Sequence, residues 1–205
     1  MYEFVSLRAM WLMFRCIIHK KKYIINCDGA ILMPSPVKDV IKRFFISHAT
    51  AYLASGNIAK KYLLYYGAKN ENIYLHKFTT LFEKDIKILA VEYKPHKNKY
   101  CIAVGRFIAL KKYDLLIKTW TKIDKNEKLL IIGGGEERSH YEQLIESFEL
   151  NNIILINYMP KQELFEYYKG ADLFIHPTSY DVWGLVINEA MACGLPIITT
   201  NTGGA

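Results

Sequence analysis

The second half of this 205-residue chain predicts an α/β fold built on a parallel, doubly wound sheet. Short apolar runs at 100–104, 128–132, 153–156, 172–175 and 197–200 alternate with helix-spaced segments at 113–123, 137–148, 161–168 and 185–193. Strands separated in this way by helices pair in parallel. The helices carry their own signals. Tyr141, Leu144, Ile145 and Phe148 recur at i, i+3, i+4 and i+7, while Pro160 opens and Gly170 closes the next helix.

The first half alternates too, less regularly. A helix over 7–18 precedes a strand over 22–27 that ends at Asp28-Gly29. A turn-rich stretch at 30–36 leads to a helix over 37–45, a strand over 51–54, a turn at Ser55-Gly56, a helix over 58–66 stopped by Gly67, and a strand over 72–75. No first strand and no Gly-rich turn come before these elements, so the domain reads as incomplete. The polar, basic run at 94–99 divides the chain into a partial N-terminal domain over 1–93 and a second domain over 94–205. The apolar stretch at 9–18 is too short for a bilayer, which takes roughly 20 residues. It also lacks the flanks of a cleavable signal, and reads as an amphipathic core helix.

Composition narrows the partners. Hydrophobic residues make up 51% of the chain, enough for a packed core. Lys plus Arg exceed Asp plus Glu by 27 to 20, giving +7. That balance fits nucleotide phosphates, lipid diphosphates or an acidic membrane surface, although each Lys run taken singly reads as a solvated face. No nucleic-acid-binding motif occurs. Cys16, Cys27, Cys101 and Cys193 are far apart with no Cys-x-x-Cys spacing, and read as reduced, buried and cytosolic.

The stretch that ends the chain concentrates the chemistry. The helix over 185–193 is apolar on nearly every side and should be buried, yet it carries Glu189. A buried carboxylate needs donors, either from the protein or from a ligand. The start of that helix, at Trp183, Gly184, Leu185 and Val186, offers backbone N–H groups and a positive dipole end to an anion. Other loops at the carboxyl ends of the strands carry Gly105-Arg106, Lys111 and Lys112, then Gly133-Gly134-Gly135, then His176 and Asp181. Ligands bind at that edge of such sheets, so these groups together predict a phosphate cradle. Singly, the Gly run is a turn, Arg106 a surface cation and His176 a structural histidine.

The pattern Pro177-Thr-Ser-Tyr-Asp181-Val-Trp183-Gly184, four residues, then Glu189-Ala-Met-Ala-x-Gly194-x-Pro196 resembles the acidic signature of family 4 glycosyltransferases, retaining enzymes of GT-B fold. The family usually has Glu where this chain has Asp181, and Gly where it has Lys112. The resemblance implies a GT-B chain truncated at both ends. Its Rossmann-like donor domain would bind a nucleotide-diphosphate sugar, with an incomplete α/β acceptor-side domain before it. It assigns the diphosphate to Gly105, Arg106 and Lys111, a donor loop to Gly133, Gly134 and Gly135, the donor sugar to Asp181 and the ribose to Glu189. The implied activity is transfer of a hexosyl group, with retention, to a saccharide or lipid-linked acceptor hydroxyl in polysaccharide or glycolipid synthesis. No cofactor is implied, and the lack of an Asp-x-Asp pair argues against a metal-dependent route. The acceptor-side His of the family is missing at 26–29; Asp28 is the candidate acceptor-side contact there, although Asp28-Gly29 taken by itself reads as a plain turn. Expected localisation is cytoplasmic, with contact at the inner membrane surface. A non-catalytic remnant of such an enzyme and a GT-B nucleotide-sugar epimerase remain as alternatives.

Overall fold

The computed structural model describes residues 6–29, 32, 34–77, 79–85, 100–181 and 183–202. Two compact units divide the chain, Met1–Phe78 and Thr79–Gly203. The expected boundary after residue 93, with the basic run 94–99, lies outside the described residues, as does the terminal Gly-Gly-Ala. The division falls earlier because residues 79–85 are tied to the second unit: Lys161 Nζ donates to Thr80 O at 2.6 Å and to Asp85 Oδ2 at 2.9 Å.

The first unit runs α1 (Leu7–Ile18), β1 (Ile24–Cys27), α2 (Pro36–Ser47), β2 (Ala51–Ser55), α3 (Gly56–Tyr65) and β3 (Ile73–His76). Its three strands pair in parallel in the order β1-β2-β3. Ile25, Cys27, Tyr52 and Ala54 point to one face and pack with Ile46, Ala59, Tyr62 and Leu63 from α2 and α3. Ser55-Gly56 is no free turn: Ser55 ends β2 and Gly56 opens α3 directly. The core-helix expectation for α1 is corrected as well. None of its residues is buried, and Leu7, Trp11, Leu12, Phe14 and Ile18 are exposed. Its apolar stripe has α2 beside it, and α2 itself exposes Val37, Val40 and Phe44. Among the described residues no helix is long and apolar enough to cross a membrane.

The second unit holds β4 (Tyr100–Val104), α4 (Tyr113–Trp120), β5 (Lys128–Ile132), α5 (Arg138–Ser147), β6 (Ile153–Ile156), α6 (Lys161–Gly170), β7 (Leu173–His176), α7 (Leu185–Ala192) and β8 (Ile197–Thr199). All pairs are parallel, in the order β6-β5-β4-β7-β8. Alternation along the strands builds two cores. Ala103, Leu129 and Ile131 meet Tyr113, Ile117, Trp120 and Tyr141 of α4 and α5. Ile102, Val104, Leu130 and Ile132 meet Leu164, Phe165, Tyr168 and Ala190 of α6 and α7 on the other face. Burying a large apolar side chain contributes about 1.5–3 kcal/mol, so these two layers hold the unit together.

α7 is less enclosed than its sequence implies. Only Glu189 and Ala190 are buried, and Met191 is 62% exposed, because a single face of the helix meets the sheet. The cysteines also depart from expectation: all four are free, but Cys27 alone is fully buried.

Lys112 takes the left-handed conformation, φ 54° and ψ 34°, where α4 begins. Glycine occupies that region without strain and lysine does not. Lys112→Gly is therefore expected to stabilise the fold by about 0.5–1 kcal/mol, the relief of left-handed strain less the added chain entropy. Urea denaturation of the two proteins measures it.

Candidate functional site

The strand order reverses at β4. From it the chain proceeds to β5 and β6 on one side, then crosses to β7 and β8 on the other. Loops leaving β4 and β7 therefore diverge, and such a switch point forms a crevice beyond the strand ends. Backbone and side-chain bonds tie the two loops at one place. Leu110 O accepts from Ser179 N at 2.8 Å, from Thr178 Oγ1 at 3.0 Å and from Ser179 Oγ at 3.0 Å.

This clamp sets a three-residue charge bridge across the switch point. Lys111 Nζ meets Asp181 Oδ2 at 2.5 Å, and His176 Nε2 lies 3.0 Å from the same oxygen. His176 is the last residue of β7, which ends one residue later than the expected run 172–175, and is buried. Burial alone would raise the Asp181 carboxyl. Hydrogen bonds from His176 and Lys111 outweigh it and hold the group well below the carboxylate range. An ammonium has three donors, so Lys111 keeps others for an anion.

Two buried polar atoms beside the bridge have no hydrogen-bond partner among the described residues, His176 Nδ1 and the Tyr113 hydroxyl. An unpaired buried group of this kind costs about 1–3 kcal/mol. Tyr113 stands under the first loop, where a Cβ added at Gly105 would come within 2.8 Å of its hydroxyl. Burial pushes its phenol far above the ordinary value. Sequence reasoning gave Tyr113 no role, since nothing local distinguishes it from the core tyrosines.

The glycine loop divides into two kinds of position. A Cβ on Gly133 would lie 1.9 Å from Gly105 O, and one on Gly135 would lie 2.5 Å from Phe107 O. Both glycines therefore let this loop pack against the one after β4, with Phe107 N donating to Gly134 O at 2.8 Å. Gly134 has nothing within 4 Å of a Cβ and is the residue open to a ligand. Close approach is thus used inside the protein at Gly133 and Gly135, where the sequence suggested approach to a ligand.

Arg106 is exposed, and among the described residues its side chain has no hydrogen bond or ion pair, so it is not drawn to Asp181 or Glu189. Gly184, at φ 75°, caps α7, and Trp183 is buried before it. Leu185 and Val186 form the first turn, whose N–H groups have no intrahelical partners. Asp28 lies in the first unit, exposed just after β1, where its Oδ1 accepts from Asn26 Nδ2 at 2.8 Å.

Glu189 has a different set of neighbours from Asp181. Its Oε1 accepts from Thr80 Oγ1 at 3.2 Å, and Lys161 stands by to fix Thr80 and Asp85. Burial raises its carboxyl above the ordinary value, partly offset by the Thr80 bond and the Lys161 charge. The two acids of the signature are thus pushed in opposite directions. For a group raised on folding, the stabilising contribution is complete below the unfolded value near 4.3 and is lost as pH rises through the folded value. Glu189→Gln is accordingly expected to raise the melting temperature at pH 7 and to leave it unchanged near pH 4, as thermal denaturation at the two pH values would show. The Thr80 and Lys161 contacts were invisible in the sequence, because they join positions far apart with no motif at either.

Among the described residues no group of three or more His, Cys, Asp or Glu is placed to hold a metal ion. The profile of the family described as glycosyl transferases group 1 matches residues 84–205. The chain belongs to this family. Over 110 residues it is 32% identical to an uncharacterized glycosyltransferase of Methanocaldococcus jannaschii, covering 52% of this chain and 28% of that protein. Over 127 residues it is 31% identical to the N-acetyl-alpha-D-glucosaminyl L-malate synthase of Bacillus anthracis, covering 60% and 33%. The chain thus spans about a third or less of the length of these relatives.

Among solved structures, Anabaena HepE in complex with UDP superposes with a TM-score of 0.77 at 18% identity, over 97% of this chain and 59% of that one. Sucrose-phosphate synthase from Thermosynechococcus elongatus gives 0.74 at 20% identity, over 96% and 54%. These likenesses show the fold. The protein is an α/β chain of GT-B type, as the resemblance to family 4 glycosyltransferases implied.

Proposed function

We propose that the carboxyl edge of the five-stranded sheet binds a nucleotide-diphosphate sugar, and that the protein moves its hexosyl group to an acceptor hydroxyl with retention of configuration. The observation that carries this is the Lys111–Asp181–His176 bridge across the switch point, with the start of α7 following on the same loop. HepE, which shares the fold, is in complex with UDP, and a nucleoside diphosphate is the ligand that this arrangement of cations and helix N-terminus suits.

In this reaction the bond between the sugar's anomeric carbon and the phosphate oxygen breaks with its electron pair passing to the diphosphate. Arg106, Lys111 and the N–H groups at Leu185 and Val186 meet that developing charge, so the reading needs no metal. The acceptor oxygen forms the new bond on the same face, and its proton passes to the departing phosphate oxygen. Asp181 orients sugar hydroxyls, Gly105 and Gly134 allow the diphosphate close to the backbone, and Glu189 receives the ribose hydroxyls. Trp183 packs behind the turn that aims α7. The acceptor is a saccharide or lipid-linked hydroxyl, met in the cytoplasm or at the inner face of a membrane, where a chain of net charge +7 is attracted.

Incubation with UDP-glucose, UDP-N-acetylglucosamine and GDP-mannose plus a lipid-linked acceptor tests the reaction. The expected product keeps the donor's anomeric configuration by proton NMR. An inverted product, or a sugar epimerised while still on its nucleotide, would overturn it.

A further inference from the structure

The strap formed by residues 79–85 belongs to the second unit, yet most of it lies before residue 84, where the match to the family profile begins. Its place is fixed from several sides. Lys161, the first residue of α6, donates to Thr80 O at 2.6 Å and to Asp85 Oδ2 at 2.9 Å. Asp85 Oδ2 also accepts from Phe82 N at 2.9 Å, and Phe82 O accepts from Asp85 N at 2.9 Å. Leu81 N donates to Thr79 Oγ1 at 3.2 Å, while the Leu81 side chain packs on the core layer that holds Phe165, Phe174 and Ala190. One further bond leaves the strap for α7: the Thr80 hydroxyl donates to Glu189 Oε1 at 3.2 Å.

Glu189 stands one turn beyond Leu185, about 6 Å along the axis of α7. A ligand whose diphosphate sits at the start of that helix brings the next group of the nucleotide, its ribose, toward this carboxylate. Glutamate turns about three side-chain bonds, and a carboxylate left free to turn gives up that freedom when a ligand hydroxyl meets it. Thr80 removes the freedom beforehand. Its own backbone is pinned at the carbonyl by Lys161, so the hydroxyl is presented to Oε1 from a fixed place. A carboxylate accepts about four hydrogen bonds, which leaves capacity for a ligand. A hydroxyl also leaves the negative charge in place, whereas an ammonium would neutralise it, and Lys161 pairs with Asp85 instead.

A site built to hydrogen-bond a hydroxyl rejects the analogue that lacks it, because its buried polar group is then left unpaired. That rejection is sharp only where the polar group cannot turn away. We infer that Thr80 is a positioning residue for ribose recognition: its hydroxyl aims the Glu189 carboxylate, so that the chain selects a ribonucleoside diphosphate over one without ribose hydroxyls. The inference rests on the reading that Glu189 receives the ribose. Thr80 acts through Glu189 and touches none of the reacting atoms.

Calorimetric titration of the full chain with UDP, GDP and their 2′,3′-dideoxy forms tests it. The parent is expected to bind at least one of the two ribonucleotides about tenfold or more tightly than its dideoxy form, the worth of a hydrogen bond to a charged group. Thr80→Val keeps the shape of the side chain and removes the hydroxyl. It should bring that ratio below about threefold, weakening the ribonucleotide and leaving the dideoxy form unchanged. Glu189→Gln should also lower the ratio, and Thr80→Ser, which keeps the donor, should preserve it. Thr80→Ala takes the place of the valine variant should that chain not fold, with the same result expected. A threonine that only supports the fold would lower both affinities together or neither. Selectivity kept or increased without the Thr80 hydroxyl would overturn the proposal and leave Glu189 as the ribose contact. Equal binding of the two forms by the parent, or selectivity kept in Glu189→Gln, would overturn the ribose reading and the proposal with it.

Discussion

Gly133→Ala is expected to destabilise the second unit by about 3 kcal/mol or more, whereas Gly134→Ala should change stability by less than about 0.5 kcal/mol. The contrast follows from what each new methyl would meet. At Gly133 it lies 1.9 Å from Gly105 O, a backbone atom that can move only if the loops after β4 and β5 separate. Its φ of 157° adds strain for any L side chain. That separation would break the bond from Gly105 N to Ile132 O and disturb the Phe107, Tyr113 and Tyr141 rings, whose centroids lie 5.5–5.9 Å apart. At Gly134 the methyl meets nothing within 4 Å. Urea denaturation decides it. Equal midpoints for the two variants would mean that the loops do not pack as described.

Lys111→Ala is expected to weaken UDP binding at least tenfold, and to reduce sugar transfer further. A charge-assisted hydrogen bond contributes about 1.5–3 kcal/mol, which is one to two decades in affinity. Lys111 also holds Asp181, so its removal lets the Asp181 carboxyl rise toward the ordinary range. A depressed carboxyl contributes stability that is present above its unfolded value near 3.9 and lost as pH falls below it. Lys111→Ala should therefore lose stability at pH 7 and show a weaker fall between pH 4 and pH 2 than the parent. Arg106→Ala is the control. Among the described residues its side chain has no hydrogen bond or ion pair, so the substitution should weaken UDP binding without moving the melting temperature. Loss of stability in that variant, or unchanged UDP affinity in both, would contradict the assigned roles.

Strand and helix periods made the second unit legible. β4, β5 and β6 lie where their apolar runs placed them: β4 and β5 are interior strands with continuous apolar runs, and β6 keeps such a run at the sheet edge although Ile154 is exposed. Burial by neighbours was harder to read. The stripe on α1 and the apolar surface of α7 look like core in sequence, yet burial depends on which layers face them, which no local pattern records. At the site, the order of Arg106, Lys111, Asp181 and Glu189 was visible. Their pairing was not: Thr80 on Glu189 and His176 on Asp181 depend on the switch in strand order and on side-chain direction. The glycine run shows the same limit, since Gly133 and Gly135 serve the neighbouring loop and Gly134 does not.

Calorimetric titration of the chain with UDP, beside GDP and inorganic phosphate, bears most directly on the donor site. Saturable binding of a nucleoside diphosphate, lost in Lys111→Ala and weakened in both Arg106→Ala and Glu189→Gln, is the predicted result. Heat no greater than that of inorganic phosphate from a folded chain, or nucleotide binding indifferent to all three substitutions, would contradict it.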